Sequence, residues 1–251
     1  MSSLAIALIV CLCVFGAGVV GLIVHKKLPD HHLDGTTQDV VKLVMGLIAT
    51  LAALALGLLI ASANSTYQTE RSELQIVAAD IVQADRILAH YGPETKEVRD
   101  LLHQAVMATV ELIWPSGGSA SLDPEKAKYQ TGRFFDAVQK LAPTTDAQRF
   151  DQSRVLQLTM TMAQTRMLMF EQSGNAIPWP FLMVLVFWLA VLFLGFGLFA
   201  RPNATVIVAL LIGAISVSGA IFLMLELSEP YGGLIRISDA PIRNSLAQID
   251  R

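Results

Sequence analysis

Three histidines and an aspartate that lie close together in the sequence are of residue types that could hold a metal ion. They are His25, His31, His32 and Asp34, and all lie in or beside one short polar segment. Imidazole and carboxylate groups are ordinary zinc ligands, but they act together only at characteristic spacings along the chain. The spacing here matches none of those patterns. The sequence therefore predicts no metal site.

The chain carries no residue pattern of an enzyme. Covalent or metal-assisted catalysis requires a nucleophile with a base, or a metal with an activating carboxylate. No HExxH, GxSxG or P-loop motif is present. Residues 16–21, Gly-Ala-Gly-Val-Val-Gly, match the dinucleotide-binding pattern by letter, but no strand precedes them. Small residues at a helix–helix contact explain them better, so we expect no enzyme activity and no cofactor.

Four apolar stretches, arranged as two pairs, are the elements that must position any functional residue. They cover residues 4–24, 43–61, 178–200 and 204–225, and none contains Asp, Glu, Lys, Arg or His. A bilayer core about 30 Å thick requires roughly 20 apolar residues of helix. The chain has 251 residues, of which 53% are hydrophobic, and a net charge of −3. These features predict an all-α membrane protein with four transmembrane helices in the lipid bilayer, and they argue against a nucleic-acid partner.

The four stretches divide the chain into four parts. Residues 1–61 form the first transmembrane pair, 62–177 a soluble insert, 178–225 the second pair, and 226–251 a tail with a short helix that begins near Ala240. The insert has amphipathic helical patterns and no strand pattern, which predicts four helices. The first of them continues the second span, because no proline occurs between Lys42 and Tyr91. That helix has an apolar seam with coiled-coil spacing at Leu74, Val77, Ile81, Ala84, Leu88 and Tyr91.

The second span carries a row of small residues at four-residue spacing, with further polar residues where the row ends. Such a row permits close contact between helices, which is the interpretation that the sequence alone favours. Alternatively, it lines a narrow path through the membrane. The candidates for either role are Ala49, Ala53, Gly57, Ala61, Ser62, Asn64 and Ser65.

Charges near the ends of the spans leave the orientation open. With four spans, both termini and the insert share one side of the membrane. Lysines and arginines are evenly divided, with Lys26, Lys27, Lys42 and Arg201 on the hairpin side and Arg71, Arg166, Arg236 and Arg243 on the other. The positive-inside rule therefore gives a tie, although the pair of adjacent lysines favours cytoplasmic hairpins. Where the fourth span ends, Glu226 and Glu229 are candidates for ion pairs with Arg236 and Arg243.

Two segments resemble a known family. The first is 57–63, Gly-Leu-Leu-Ile-Ala-Ser-Ala, followed by Tyr67, Arg71 and Glu73. The second is 225–238, Leu-Glu-Leu-Ser-Glu-Pro-Tyr-Gly-Gly-Leu-Ile-Arg-Ile-Ser. Together with the two-plus-two layout, they resemble the bestrophin-like family of bacterial membrane proteins. The tail residues that carry the motif are Glu226, Glu229, Pro230, Gly233, Arg236, Ser238, Pro241 and Arg243.

The resemblance implies an oligomeric anion channel. True bestrophins are pentamers with four spans per subunit, cytosolic termini and a second span that lines the pore. By resemblance, we expect a homo-oligomer in the bacterial inner membrane that passes a small anion, with termini and insert in the cytoplasm. The acidic calcium clamp and the aromatic pore constriction of animal bestrophins have no match here. The alternative is a membrane-anchored sensory or scaffold protein whose helical insert binds a ligand or partner.

Overall fold

The computed structural model describes residues 2–27, 35–114, 124–173 and 179–249. It is 87% helical, and the described residues contain no strand, which confirms the prediction of an all-helical fold. In chain order the helices are α1 (Ser3–His25), α2 (Gly35–Tyr91), α3 (Lys96–Ile113), α4 (Pro124–Gln139), α5 (Asp146–Ser173), α6 (Trp179–Phe199), α7 (Ala204–Leu227) and α8 (Ala240–Ile249). A 3-10 turn, Pro93–Thr95, joins α2 to α3.

Four of these helices are long and apolar enough to cross a membrane. They are α1, α2, α6 and α7; the stretches 4–24, 43–61 and 204–225 lie within them, whereas the stretch 178–200 extends to Ala200, one residue beyond the end of α6. α2 continues unbroken to Tyr91, because it contains no proline to interrupt its backbone hydrogen bonds. The chain divides into two compact units, and α2 contributes to both.

The first unit, Met1–Tyr67 with Asn175–Arg236, is called here the membrane unit. Its core is the packing of α1 along α6 and α7. Gly21 lies against the α6 backbone so closely that a β-carbon there would collide with the carbonyl oxygen of Leu194, and Gly197 faces the Gly18 carbonyl in the same way. The expected helix–helix contact of segment 16–21 is thus confirmed for Gly18 and Gly21, whereas Gly16 has open space beside it.

The ends of the membrane helices are held by specific polar contacts. Asn203 caps α7, because its Oδ1 accepts a hydrogen bond from the Val206 N–H at 2.8 Å. His25 Nδ1 lies 2.8 Å from the Leu198 carbonyl oxygen, a contact between the end of α1 and α6 in which the imidazole N–H donates. In the tight hairpin between α6 and α7, residues 200–203 are the whole connection.

The second unit, Gln68–Gly174 with Ile237–Arg251, is called here the helical unit. The apolar seam predicted for α2 is buried in it, with only Val77 partly exposed. At one end of this unit Thr95 Oγ1 donates to the Leu88 carbonyl at 2.5 Å, and Gln148 Nε2 donates to the Tyr91 carbonyl at 3.1 Å. These bonds satisfy carbonyl groups that the end of α2 would otherwise leave unpaired.

The C-terminal helix α8 packs within the helical unit, a grouping that the sequence pattern did not indicate. Ile242, Leu246 and Ile249 are buried there. Trp114 Nε1 donates to the Ile237 carbonyl at 2.9 Å, just before α8 begins. Nearby, Arg99 forms a two-point ion pair with Asp85, at 2.6 and 2.9 Å. The hydrogen bond to the Asp85 carboxylate raises the pKa of the Arg99 guanidinium, and this effect is larger than the opposing effect of burial.

Candidate functional site

The row of small residues on α2 lies mostly on the open side of that helix. Ala53, Gly57, Ala61 and Ser65 are exposed in the single chain, and only Ala49 is half-buried. A β-carbon added to Gly57 would have no neighbouring atom within 4 Å. Among the described residues of one chain, the row beyond Ala49 is therefore exposed.

α2 attaches to the rest of the membrane unit along a narrow stripe. Met45, Ala52 and Ala63 are the buried residues of its apolar half, and they recur at intervals of seven and eleven, which is one face of a helix. Only 11% of the residues in the most apolar stretch of α2 are buried, against 33%, 39% and 22% for α1, α6 and α7. Ile48, Leu56 and Ile60 are partly buried beside this stripe, whereas 11 of the 19 residues from 43 to 61 are exposed in the single chain.

A second row on the open side of α2 consists of large apolar residues, which sequence reasoning missed. All are exposed in the single chain, and their spacing alternates between four and three, as in a coiled-coil seam. The signal was present in the sequence, but a bilayer-spanning helix is apolar on every side, so the pattern does not stand out. The row, called here the leucine row, comprises Val40, Val44, Leu47, Leu51, Leu54 and Leu58.

Polar groups gather where the small-residue row ends. Ser62, Asn64 and Ser65 are all exposed. Their hydroxyl and amide groups can donate hydrogen bonds and carry no charge. At the other end of the apolar half, Lys42 and Asp39 form an exposed ion pair at 4.0 Å. The stretch between these ends has no ionisable side chain.

The tail motif has a structural explanation at Glu226. This carboxylate is buried, and its Oε2 accepts hydrogen bonds from the Leu234 N–H at 2.5 Å and the Ile235 N–H at 3.2 Å. Gly233 adopts a positive φ of 68° beside it, and a side chain there would collide with the carboxylate. Glu226 and Gly233 therefore act together to fix one turn after α7.

The other motif residues of the tail serve local structure. Pro230 is buried beneath the turn, while Glu229 and Arg236 are exposed. Ser238 Oγ accepts a hydrogen bond from the Ala240 N–H at 3.2 Å where α8 begins, and Pro241 lies in the first turn of that helix. Arg243 pairs with Asp239.

The ion pairs expected between Glu226 or Glu229 and the arginines of the tail are absent among the described residues. Glu226 bonds to backbone amides and Arg243 to another carboxylate. The physical reason is proximity along the chain: the two amides lie eight and nine residues after Glu226, and Asp239 lies one helical turn before Arg243.

The described residues contain no group of three or more potential metal ligands. His25 is hydrogen-bonded to the α6 backbone. His31, His32 and Asp34 lie outside the described residues.

Comparison with known proteins yields a fold and a family. No curated protein matches the chain in sequence. A leucine-to-threonine variant of the bacterial bestrophin homolog from Klebsiella pneumoniae is similar in structure, with a TM-score of 0.71, 12% sequence identity and 97% of each chain covered. Another crystal structure of that homolog has a TM-score of 0.70 and 13% identity, with 96% of each chain covered. At these identities the likeness shows the fold alone.

The family itself is shown by the sequence. The model of the Bestrophin-like domain matches residues 12–242. This range includes all four candidate spans except the first turns of α1. It also includes the insert and the tail turn held by Glu226. This chain belongs to the Bestrophin-like domain family.

Proposed function

We propose that several copies of this chain assemble around a central axis and that their α2 helices line a path for small anions. The open side of α2 carries this proposal, because this span contacts the described part of its own chain along one face and leaves more than half of its residues exposed. A helix in a ring must contact two neighbouring copies and also face the axis, which requires a wide unpartnered surface. α2 has such a surface, and no ionisable side chain interrupts it between residues 43 and 61.

The chemistry of this surface favours anions over cations. Cation pores commonly present rings of carboxylates, whereas the apolar half of α2 has none. The exposed hydroxyl and amide groups of Ser62, Asn64 and Ser65 offer hydrogen-bond donors to an anion where the small-residue row ends. The bestrophins that the chain resembles are anion channels, which supports the same choice.

Planar-bilayer recording of the purified oligomer in a chloride gradient tests the proposal. We expect a current that reverses near the chloride equilibrium potential. Gly57→Leu should abolish most of this current while the oligomer persists, because a leucine side chain would fill a path that is bordered by small residues. Gly219→Leu is the matched control, since Gly219 on α7 also has open space beside it and should tolerate the change without loss of current.

Two results would contradict the proposal. A verified oligomer that carries no anion current would remove the channel function. An unchanged current in an assembled Gly57→Leu variant would show that the small-residue row of α2 does not border the path.

A further inference from the structure

The helical unit contains a cavity of about 90 Å³ between α2, α3, α4, α5 and α8. Apolar side chains form most of its wall, among them Leu74, Ile81, Leu102, Val106, Phe134 and Met162. An apolar cavity of roughly 150 Å³ in another protein stays dry and binds benzene. The present cavity is smaller, so its volume suits a short aliphatic chain.

One cationic side chain borders this apolar space. Arg166 of α5 is half-buried, and its Nη1 donates a hydrogen bond to Thr131 Oγ1 of α4 at 3.1 Å. Among the described residues, no carboxylate lies within ion-pair distance of it. Burial lowers the pKa of the Arg166 guanidinium. Arginine remains protonated at neutral pH, so the cavity has a positive charge at its edge.

The other polar groups of the lining do not neutralise that charge. The hydroxyl of Thr109 donates to the Ala105 carbonyl at 2.9 Å, and the hydroxyl of Thr159 donates to the Val155 carbonyl at 2.8 Å. Both bonds lie within single helices. A half-buried cation next to an unfilled apolar space is unfavourable on two counts, and a ligand with an anionic head and an apolar tail relieves both.

We propose that this cavity binds a short aliphatic monocarboxylate, with its carboxylate at the Arg166 guanidinium and its hydrocarbon chain among Leu102, Phe134 and Met162. A guanidinium can hold a carboxylate through two parallel N–H···O bonds, which are stronger than neutral hydrogen bonds. An inorganic anion would leave the apolar space empty, and an uncharged hydrocarbon would leave the guanidinium without a counter-ion. The site is independent of the path proposed along α2.

Methyl NMR of the full-length chain in lipid nanodiscs tests this site directly. The protein is labelled with [¹³C-methyl]methionine and titrated with sodium pentanoate. We expect the Met162 signal, assigned with Met162→Leu, to shift in a saturable manner, because this side chain lines the cavity. The Met167 signal is the internal control: it lies on the same helix but is exposed, and it should not move. Absence of a saturable Met162 shift would overturn the proposal.

Two ligand controls separate the head from the tail without any protein variant. Acetate has the same carboxylate and no chain, and 1-pentanol has a chain of similar length and no charge. Each should bind at least tenfold more weakly than pentanoate. Binding of 1-pentanol as tight as that of pentanoate would show an apolar cavity without anion recognition, and would overturn the assignment of Arg166.

Protein variants provide the remaining test. Arg166→Gln should weaken pentanoate binding at least tenfold, whereas Arg149→Gln, at an exposed position of the same helix, should leave it unchanged. Ala105→Leu should abolish the Met162 shift by filling the cavity, with Arg166 intact. Circular dichroism establishes that each variant is folded. Wild-type affinity in a folded Arg166→Gln variant would contradict the proposal.

Discussion

Glu226 shows how a single buried carboxylate can organise the segment that follows a membrane helix. It lies in the last turn of α7 and accepts two backbone N–H groups from the turn after Tyr231. Hydrogen bonds to a charged carboxylate are stronger than hydrogen bonds to a neutral acceptor. When one partner of such a bond is removed, the other polar group is left without a hydrogen bond, which costs stability. Glu226 therefore stabilises one backbone conformation of this turn, and it does so through backbone amides rather than through an ion pair.

Glu226→Gln should loosen this turn. Both N–H groups donate to the same carboxylate oxygen, which an amide oxygen can replace only as a neutral and weaker acceptor, so we expect a loss of about 1 kcal/mol of local stability. Hydrogen–deuterium exchange should then show faster exchange of the Leu234 and Ile235 amides, by a factor of about ten for every 1.4 kcal/mol. Glu229→Gln is the control, because Glu229 is exposed and should leave that exchange unchanged. Equal protection in both variants would refute the role assigned to Glu226.

At the scale of elements, the membrane unit depends on close contact between α1 and α6. Gly21 and Gly197 each lie where a β-carbon would collide with backbone atoms of the other helix, and backbone cannot yield as a flexible side chain can. Gly16 belongs to the same motif and the same helix but has open space beside it. The sequence does not distinguish these glycines, whereas the structure places Gly21 in a close helix–helix contact and leaves open space beside Gly16.

Gly21→Ala should therefore destabilise the protein, whereas Gly16→Ala should not. We expect a cost of roughly 1–3 kcal/mol or more at position 21, because the two helices must move apart to accommodate a methyl group. At position 16 the exchange of glycine for alanine favours the helix by about 0.5–1 kcal/mol. Thermal unfolding of the two variants in one detergent measures the difference. Equal unfolding temperatures would contradict the close contact at Gly21.

The elements of this fold differ in how far the sequence alone predicts them. The spans follow from the lengths of uncharged apolar runs, and the continuity of α2 follows from the absence of proline. The seam of Leu74, Ile81 and Leu88 was visible because polar residues surround it. By contrast, the leucine row is invisible as a pattern, since the other faces of the span are also apolar.

The partners of Glu226 and the surroundings of Arg166 were also beyond sequence reasoning. Glu226 accepts hydrogen bonds from backbone amides, and a sequence does not show which amides a side chain contacts. Only Gly233 indicates the turn. From the sequence alone, Arg166 is one charged residue near the end of a span. Its position beside an apolar cavity depends on side chains from α2, α3, α4 and α8, which are distant from it along the chain.

At the scale of the whole molecule, the main question is what covers the open side of α2. If the leucine row faces other copies of the chain, these rows must lie near one another around a shared axis, and the number of copies follows from how the ring closes. If it faces lipid, no fixed neighbour exists. Leu8 on α1 offers a comparison, because it is apolar and more exposed in the single chain than Leu51, at 56% against 42%.

Cross-linking through the leucine row should therefore join copies of the chain in pairs, because each chain then carries one thiol and a bis-maleimide joins two. The native thiols are first removed with Cys11→Ser and Cys13→Ser. In that background Leu51→Cys, treated with a short bis-maleimide in the membrane, should be linked between copies, whereas Leu8→Cys should remain largely unlinked. The resemblance to pentameric bestrophins implies that native mass spectrometry should give five times the 27.2 kDa of one chain. A particle of one or two chains would refute the pentamer, and equal linkage at both positions would show that α2 has no defined neighbour.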